Sequence, residues 1–103
     1  MTADELKGHL DALILAVLSR EPLHGYAVIE ALKARSGGKL ALPEGTVYPA
    51  LHRLERSGLL ASQWAHDGRR RRVYRVTDRG QRELGLSRSR WREFTTTIEA
   101  VLT

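Results

Sequence analysis

Three short helices, a basic two-stranded hairpin and one long helix, in that order, predict a mainly α fold, a winged helix-turn-helix with a long C-terminal dimerisation helix. Three observations carry this expectation. Apolar residues recur at helical spacing along residues 2–20, 24–36, 43–57 and 77–102. Residues 59–76 alternate instead about a glycine-containing turn. The net charge of +5 is confined to one stretch: residues 1–65 and 83–103 each balance their acids and bases. Residues 66–82 carry Arg69, Arg70, Arg71, Arg72, Arg75, Arg79 and Arg82 against only Asp67 and Asp78. A neutral body with one concentrated basic element points to an anionic partner.

The first helix is predicted over Thr2–Arg20, with Leu6, Leu10, Leu13, Ile14, Val17 and Leu18 on one face. Thr2 and Glu5 have the spacing of a capping box, and Gly8 weakens the first turns. Glu21-Pro22 stops the helix, because a residue before proline is pushed out of helical dihedrals. The second helix runs from about His24 to Ser36, with Tyr26, Ile29 and Leu32 or Lys33 sharing a face, and Gly37-Gly38 end it. Lys39-Leu40-Ala41-Leu42 alternates like one small strand.

The third helix is predicted over Pro43–Ser57. Proline at its start and Glu44 in its first turn suit a helix N-terminus. Val47, Leu51 and Leu54 form its buried stripe. Pro49 removes the hydrogen bond to the Gly45 carbonyl, and its steric clash falls at a residue without a side chain. Gly58 closes this helix.

Leu59–Val76 reads as the hairpin. Its tip is either a two-residue Asp67-Gly68 turn or a three-residue His66-Asp67-Gly68 loop with Gly68 left-handed. The longer loop is preferred, because it puts Leu60, Tyr74 and Val76 on one face. Thr77 then caps a fourth helix reaching Leu102, roughly 37 Å long at 1.5 Å per residue. Leu84, Trp91 and Ile98 are seven apart, Phe94 and Val101 fill the seam, and Ser87 interrupts it.

At 103 residues the chain is one domain. Residues 1–76 form the winged helix-turn-helix and 77–103 the dimerisation helix, as one continuous unit. Hydrophobic residues make up 42%, enough for a core. There is no cysteine, which excludes disulfides, thiolate metal sites and cysteine nucleophiles. The longest apolar run, Ala12–Leu18, is far below the ~20 residues of a membrane span. The acidic N-terminal residues lack a signal peptide's basic start. A soluble, cytoplasmic protein without membrane contact is expected. His9, His24, His52 and His66 are widely spaced, so no metal and no cofactor are expected. No nucleophile–base pair, carboxylate pair or phosphate loop marks an enzyme. The alternative to DNA binding is a winged helix that uses its basic hairpin on an acidic protein.

Leu23-His24-Gly25-Tyr26, Gly45-Thr46-Val47-Tyr48-Pro49-Ala50-Leu51-His52-Arg53-Leu54-Glu55, Gly58-Leu59-Leu60 and Tyr74-Arg75-Val76-Thr77, with Gly80 three residues on, are together similar to the PadR family of bacterial transcription regulators. The similarity extends over essentially the whole chain. The opening Leu6–Leu15 and Trp91 resemble its short branch, which has a single helix after the wing. The resemblance implies a homodimeric repressor of a palindromic double-stranded DNA operator, its last helix packed across the dimer. It also implies an aromatic-lined pocket for a small aromatic or hydrophobic inducer, as in some relatives. Where many members have Ser-Pro before the glycine, this chain has Pro43-Glu44, which removes a hydroxyl cap and puts a carboxylate at the helix end facing DNA.

The expected DNA contacts follow. A recognition helix needs a slim polar N-terminal half to enter the major groove, and Gly45, Thr46, Tyr48 and Pro49 form it. Thr46 meets a base edge or thymine methyl, and Tyr48 either bonds a phosphate or packs in the core. Arg53 and Arg56 lie farther along, at phosphate, with Arg56 readable also as a plain surface charge. His24, with Tyr26 behind it, either meets a phosphate or caps its helix. Arg69, Arg70, Arg71, Arg72 and Arg75 line the wing; alternation prevents all from facing DNA, and which do so is open. The dimer seam is Leu6, Leu10, Leu84, Trp91, Phe94, Ile98, Val101 and Leu102. Trp91 is either simple packing or an inducer platform, and Trp64 either core or platform.

Overall fold

The computed structural model describes Leu6 and residues 8–103, Asp67 by its backbone alone. Among these residues four helices and a small antiparallel sheet follow one another. They are α1 (Leu10–Leu18), β1 (Leu23–His24), α2 (Gly25–Arg35), α3 (Glu44–Arg56), β2 (Leu60–Asp67), β3 (Arg69–Val76) and α4 (Asp78–Leu102). This is the expected winged helix with its long last helix. The core joins Ile14, Leu15, Val17 and Leu18 of α1 to Val28 and Leu32 of α2 and to Val47, Leu51 and Leu54 of α3. Leu60, Tyr74 and Leu84 close it from the hairpin and α4.

The first helix is shorter than expected. Gly8 turns the chain at φ +86°, a left-handed conformation that breaks a helix rather than weakening it. α1 starts after it at Leu10 and ends at Leu18, where the Ser19 hydroxyl bonds the Ala16 carbonyl. The Thr2–Glu5 capping box lies outside the described residues. In α2 the core takes Gly25, Val28 and Leu32, while Tyr26 stays exposed. Tyr26, Ile29 and Lys33 do share a face, but it lines an open groove of about 740 Å³ beside the Gly37–Pro43 loop.

Lys39–Leu42 forms no strand. The Leu40 N–H bonds the Ser36 hydroxyl, and the third strand comes from Leu23–His24 instead. β1 pairs with the free edge of β3, Leu23 opposite Tyr74, so the strand order is β1-β3-β2. The hairpin register also differs from both expected turns. Leu60 pairs with Val76, and pairing runs out to Asp67 opposite Arg69, leaving Gly68 alone at the tip with φ +77°. Leu60, Tyr74 and Val76 still share a face. Burial fixes which residues face inward, and a two-residue slip preserves that choice while a one-residue slip reverses it. Turn geometry decides the remainder.

α4 is anchored where α3 ends. Thr77 accepts the Gly80 N–H at 3.1 Å, as an N-cap does, and its hydroxyl donates to the Gly58 carbonyl at 2.7 Å. Gly80 lies so close to the Leu59 carbonyl that a Cβ there would collide with it. Leu84 then enters the core at 2% exposure, and beyond it the helix is exposed along most of its length; the chain with this helix measures 53 × 28 × 20 Å.

Candidate nucleic-acid interface

α3 presents the slim N-terminal half that its sequence promises. Pro43 is its N-cap and supplies no side-chain bond; its carbonyl accepts the Thr46 and Val47 N–H groups at 3.0 and 3.2 Å. The first N–H groups of the helix are therefore left for outside acceptors. Nothing stands within 4 Å of where a Gly45 Cβ would be, and Pro49 is exposed. Thr46 is half-buried at this end, and Glu44 puts a carboxylate beside it.

Tyr48 packs against the core, with its ring over Gly25 so closely that α2 could carry no side chain there. Burial, then Glu44 and Tyr26, push its phenol above the ordinary range, so it is neutral at physiological pH. Its ring holds α2 against α3. Tyr26 is exposed on the neighbouring turn.

At the other end of α3 the two arginines part ways. Arg56 is exposed. Arg53 turns back to α1, where both its terminal nitrogens bond the Asp11 carboxylate at 2.8 and 2.9 Å. That bonding, stronger than the opposing desolvation, raises its pKa further. The sequence has no pattern linking residues 11 and 53, and Asp11 was not among the expected site residues.

The register sorts the wing arginines. Arg70 and Arg72 share a face with Trp64 and Ser62, while Arg69, Arg71 and Arg75 share the opposite one. Arg72 stands directly across from Trp64 and reaches Glu55 of α3 at 3.4 Å. Glu55 also accepts the Ser62 hydroxyl, so it links α3 to the wing through two residues. The Arg70 guanidinium carbon lies 4.0 Å from the Trp64 ring centroid and that of Arg72 5.4 Å. Trp64 is thus not part of the core but a half-exposed plate beside two cations. Glu55, Ser62 and the wing role of Trp64 all escaped the sequence reading. Only the face shared by Trp64, Arg70 and Arg72 was discoverable there, from the parity of the hairpin pairing.

On the opposite face Arg71 meets His24 Nε2 at 3.0 Å, and His24 Nδ1 faces the Ala27 N–H at 3.3 Å as the cap of α2. A neutral imidazole accepts at one nitrogen only. Capping α2 and binding Arg71 therefore compete for the ring, so Arg71 is held only when the cap is given up. Arg75 is exposed near the wing's base.

The projecting part of α4 carries Trp91, Phe94, Ile98, Val101 and Leu102, all exposed, with Val101 at 82%. Trp91 stacks on Phe94 at 5.7 Å and meets His9 edge-on at 5.3 Å. Leu84 and Leu6 are buried within the chain and Leu10 is half-buried, so these three drop out of the exposed seam. Among the described residues no helix is long and apolar enough to cross a membrane, and no three His, Asp or Glu side chains gather as metal ligands.

Comparison with known proteins agrees with this geometry. The model of the transcriptional regulator PadR-like family matches residues 14–86. A PadR family transcriptional regulator from Eggerthella lenta is similar at 36% identity and a TM-score of 0.83, over 96% of this chain and 86% of that one. A transcriptional regulator from Clostridium thermocellum is similar at 26% identity and a TM-score of 0.87, over 94% and 96%. Transcriptional regulator Rv3488 of Mycobacterium tuberculosis is 48% identical over 63 residues, which span 60% of this chain and 56% of that protein. The chain belongs to the PadR-like family of transcriptional regulators, and it is a DNA-binding regulator of that kind rather than an enzyme.

Proposed function

We propose that the chain is a homodimeric bacterial repressor, working in the cytoplasm on a palindromic operator. Each protomer sets Gly45, Thr46 and Pro49 of α3 into a major groove, with His24, Tyr26 and Tyr48 behind them. Arg56 and the wing arginines meet the backbone or an adjacent minor groove. The observation that carries the reading is the basic wing tied by Glu55 to the open N-terminal half of a helix, in a chain whose net charge resides in that wing and the first turns of α4. The exposed seam of α4 supports the dimer, since a helix with one unpartnered apolar side is stable when a second copy covers it. Two-fold symmetry in the protein calls for an inverted repeat in the DNA. The Trp91–Phe94–His9 cluster, continuous with that seam, supports an aromatic or hydrophobic inducer bound at the dimer interface.

Fluorescence anisotropy tests the reading, with a duplex carrying an inverted repeat from upstream of the chain's own gene and a random duplex as control. Affinity for the repeat should exceed that for the control, and log affinity should fall with log salt at about −0.9 per phosphate neutralised. Equal affinity for both duplexes would overturn the operator reading. Absence of salt-dependent binding would favour an acidic protein partner instead.

A further inference from the structure

We propose that Trp64 is a positioning residue for DNA binding: its indole holds the Arg70 guanidinium stacked and ready, making Arg70 the wing's main phosphate donor, while Arg72 braces the wing to α3. The proposal rests on the DNA-binding reading above and goes on to assign separate tasks to residues on one face of the wing. Arg72 is already engaged, directly opposite Trp64 and within 3.4 Å of Glu55. Arg70 is diagonal to Trp64, exposed and nearer the wing tip, with its guanidinium 4.0 Å above the ring. Stacking uses the flat face of a guanidinium and leaves its five N–H donors pointing outward around the edge. Tryptophan is the strongest aromatic platform for a cation.

A long arginine side chain loses rotamer freedom when it docks on a phosphate, and a donor ordered beforehand loses less. Trp64 does this ordering from outside the core. It is 47% exposed and is absent from the buried cluster, so shortening it opens no cavity. Among the described residues the opposite face has no such plate. There Arg71 is tied to His24 only in competition with the α2 cap.

The test is a double-mutant cycle on duplex DNA, read by anisotropy at several salt concentrations, with Trp64→Leu, Trp64→Phe, Arg70→Ala and the Trp64→Leu/Arg70→Ala pair. Trp64→Leu should weaken binding about two- to fivefold per wing, in line with the strength of an exposed cation–π contact, on operator and random DNA alike. It should leave the salt slope unchanged, because Arg70 still reaches its phosphate at a greater ordering cost. Arg70→Ala should weaken binding and also flatten the slope, by about 0.9 per wing. In the Arg70→Ala background, Trp64→Leu should change affinity less than about 1.5-fold, and Trp64→Phe should keep most of the wild-type affinity. In the free protein, Arg70 side-chain protons should show an upfield ring-current shift in NMR spectra that Trp64→Phe retains and Trp64→Leu loses. Additive losses in the cycle, equal losses from Leu and Phe, or a flattened slope in Trp64→Leu would overturn the proposal while leaving DNA binding intact. Wild-type protein that bound no duplex would overturn both.

Discussion

Arg53 of α3 and Asp11 of α1 form a bidentate ion pair, with nitrogen–oxygen distances of 2.8 and 2.9 Å, across 42 residues of chain. The geometry is the planar fork that guanidinium and carboxylate share. The pair ties the helix expected to read DNA to the helix that packs beside α4. Each side chain is about half exposed, so solvent screens the pair and limits its contribution.

Breaking this pair should therefore act more on DNA than on folding. Asp11→Asn should lower stability by no more than about 1 kcal/mol in urea unfolding. It releases a cation on α3, so affinity for random DNA should rise and its salt dependence steepen. Arg53→Ala should cost similar stability and weaken DNA binding less than Arg56→Ala does. A larger loss from Arg53→Ala would mean that the pair opens when DNA arrives.

Two helical glycines should respond oppositely to alanine. At Gly80 a methyl group meets the Leu59 backbone carbonyl and the Val76 side chain, and a backbone carbonyl cannot swing aside. Gly80→Ala should cost about 1–3 kcal/mol, as overpacking does. At Gly45 a methyl group meets nothing within 4 Å. Gly45→Ala should leave stability unchanged or raise it by up to about 1 kcal/mol. It should still weaken DNA binding, because the added methyl stands on the face proposed to enter the groove. Thermal melting paired with anisotropy checks both. A Gly45→Ala variant of unchanged affinity would move the groove-facing surface elsewhere.

The contrast between these glycines also shows what the sequence could carry. Helix spacing located α2 and α3 because each buries a stripe, and α4 because its apolar residues keep a seven-residue spacing although they are exposed; Thr77 and Gly58 began or ended helices as their chemistry requires. Leu23–His24 was invisible as a strand: two residues have no periodicity, and only β3 makes them one. Lys39–Leu42 had the alternation and found no partner strand. The wing register was fixed only to its parity, since inward-facing residues tolerate a slip of two. The Arg run was legible as charge. Its sorting into two faces follows from the pairing parity alone, but the contact with His24 and the links from Glu55 and Asp11 depend on residues brought together by the tertiary fold.

The seam of α4 yields a prediction about assembly. Trp91, Phe94, Ile98 and Val101 expose a continuous apolar stripe on a helix that projects beyond its own core. Light scattering at micromolar concentration should give about twice the 11.6 kDa chain mass. Trp91→Ala with Ile98→Ala should shift the equilibrium toward monomer, whereas Leu84→Ala should lower stability by about 2–5 kcal/mol, as expected for a side chain at 2% exposure. A wild-type monomer at that concentration would remove the argument for a palindromic operator.

Reading and positioning should separate on α3 itself. Thr46 is small, polar and half-buried on the first turns of the helix, beside the open Gly45. Removing a side chain that reads a base edge costs roughly 1–3 kcal/mol, and Thr46→Ala should show that cost on the cognate sequence alone. Arg56 is exposed ten residues on, where the helix has turned nearly three times, and in the proposed complex it is assigned to the sugar–phosphate backbone instead. Its removal should weaken operator and random DNA by similar factors and flatten the salt slope. Competition of Thr46→Ala and Arg56→Ala against both duplexes distinguishes the two roles. If Thr46→Ala left the operator-to-random ratio untouched, base reading would pass to the wing, because Tyr48 is committed to packing α2 against α3 over Gly25.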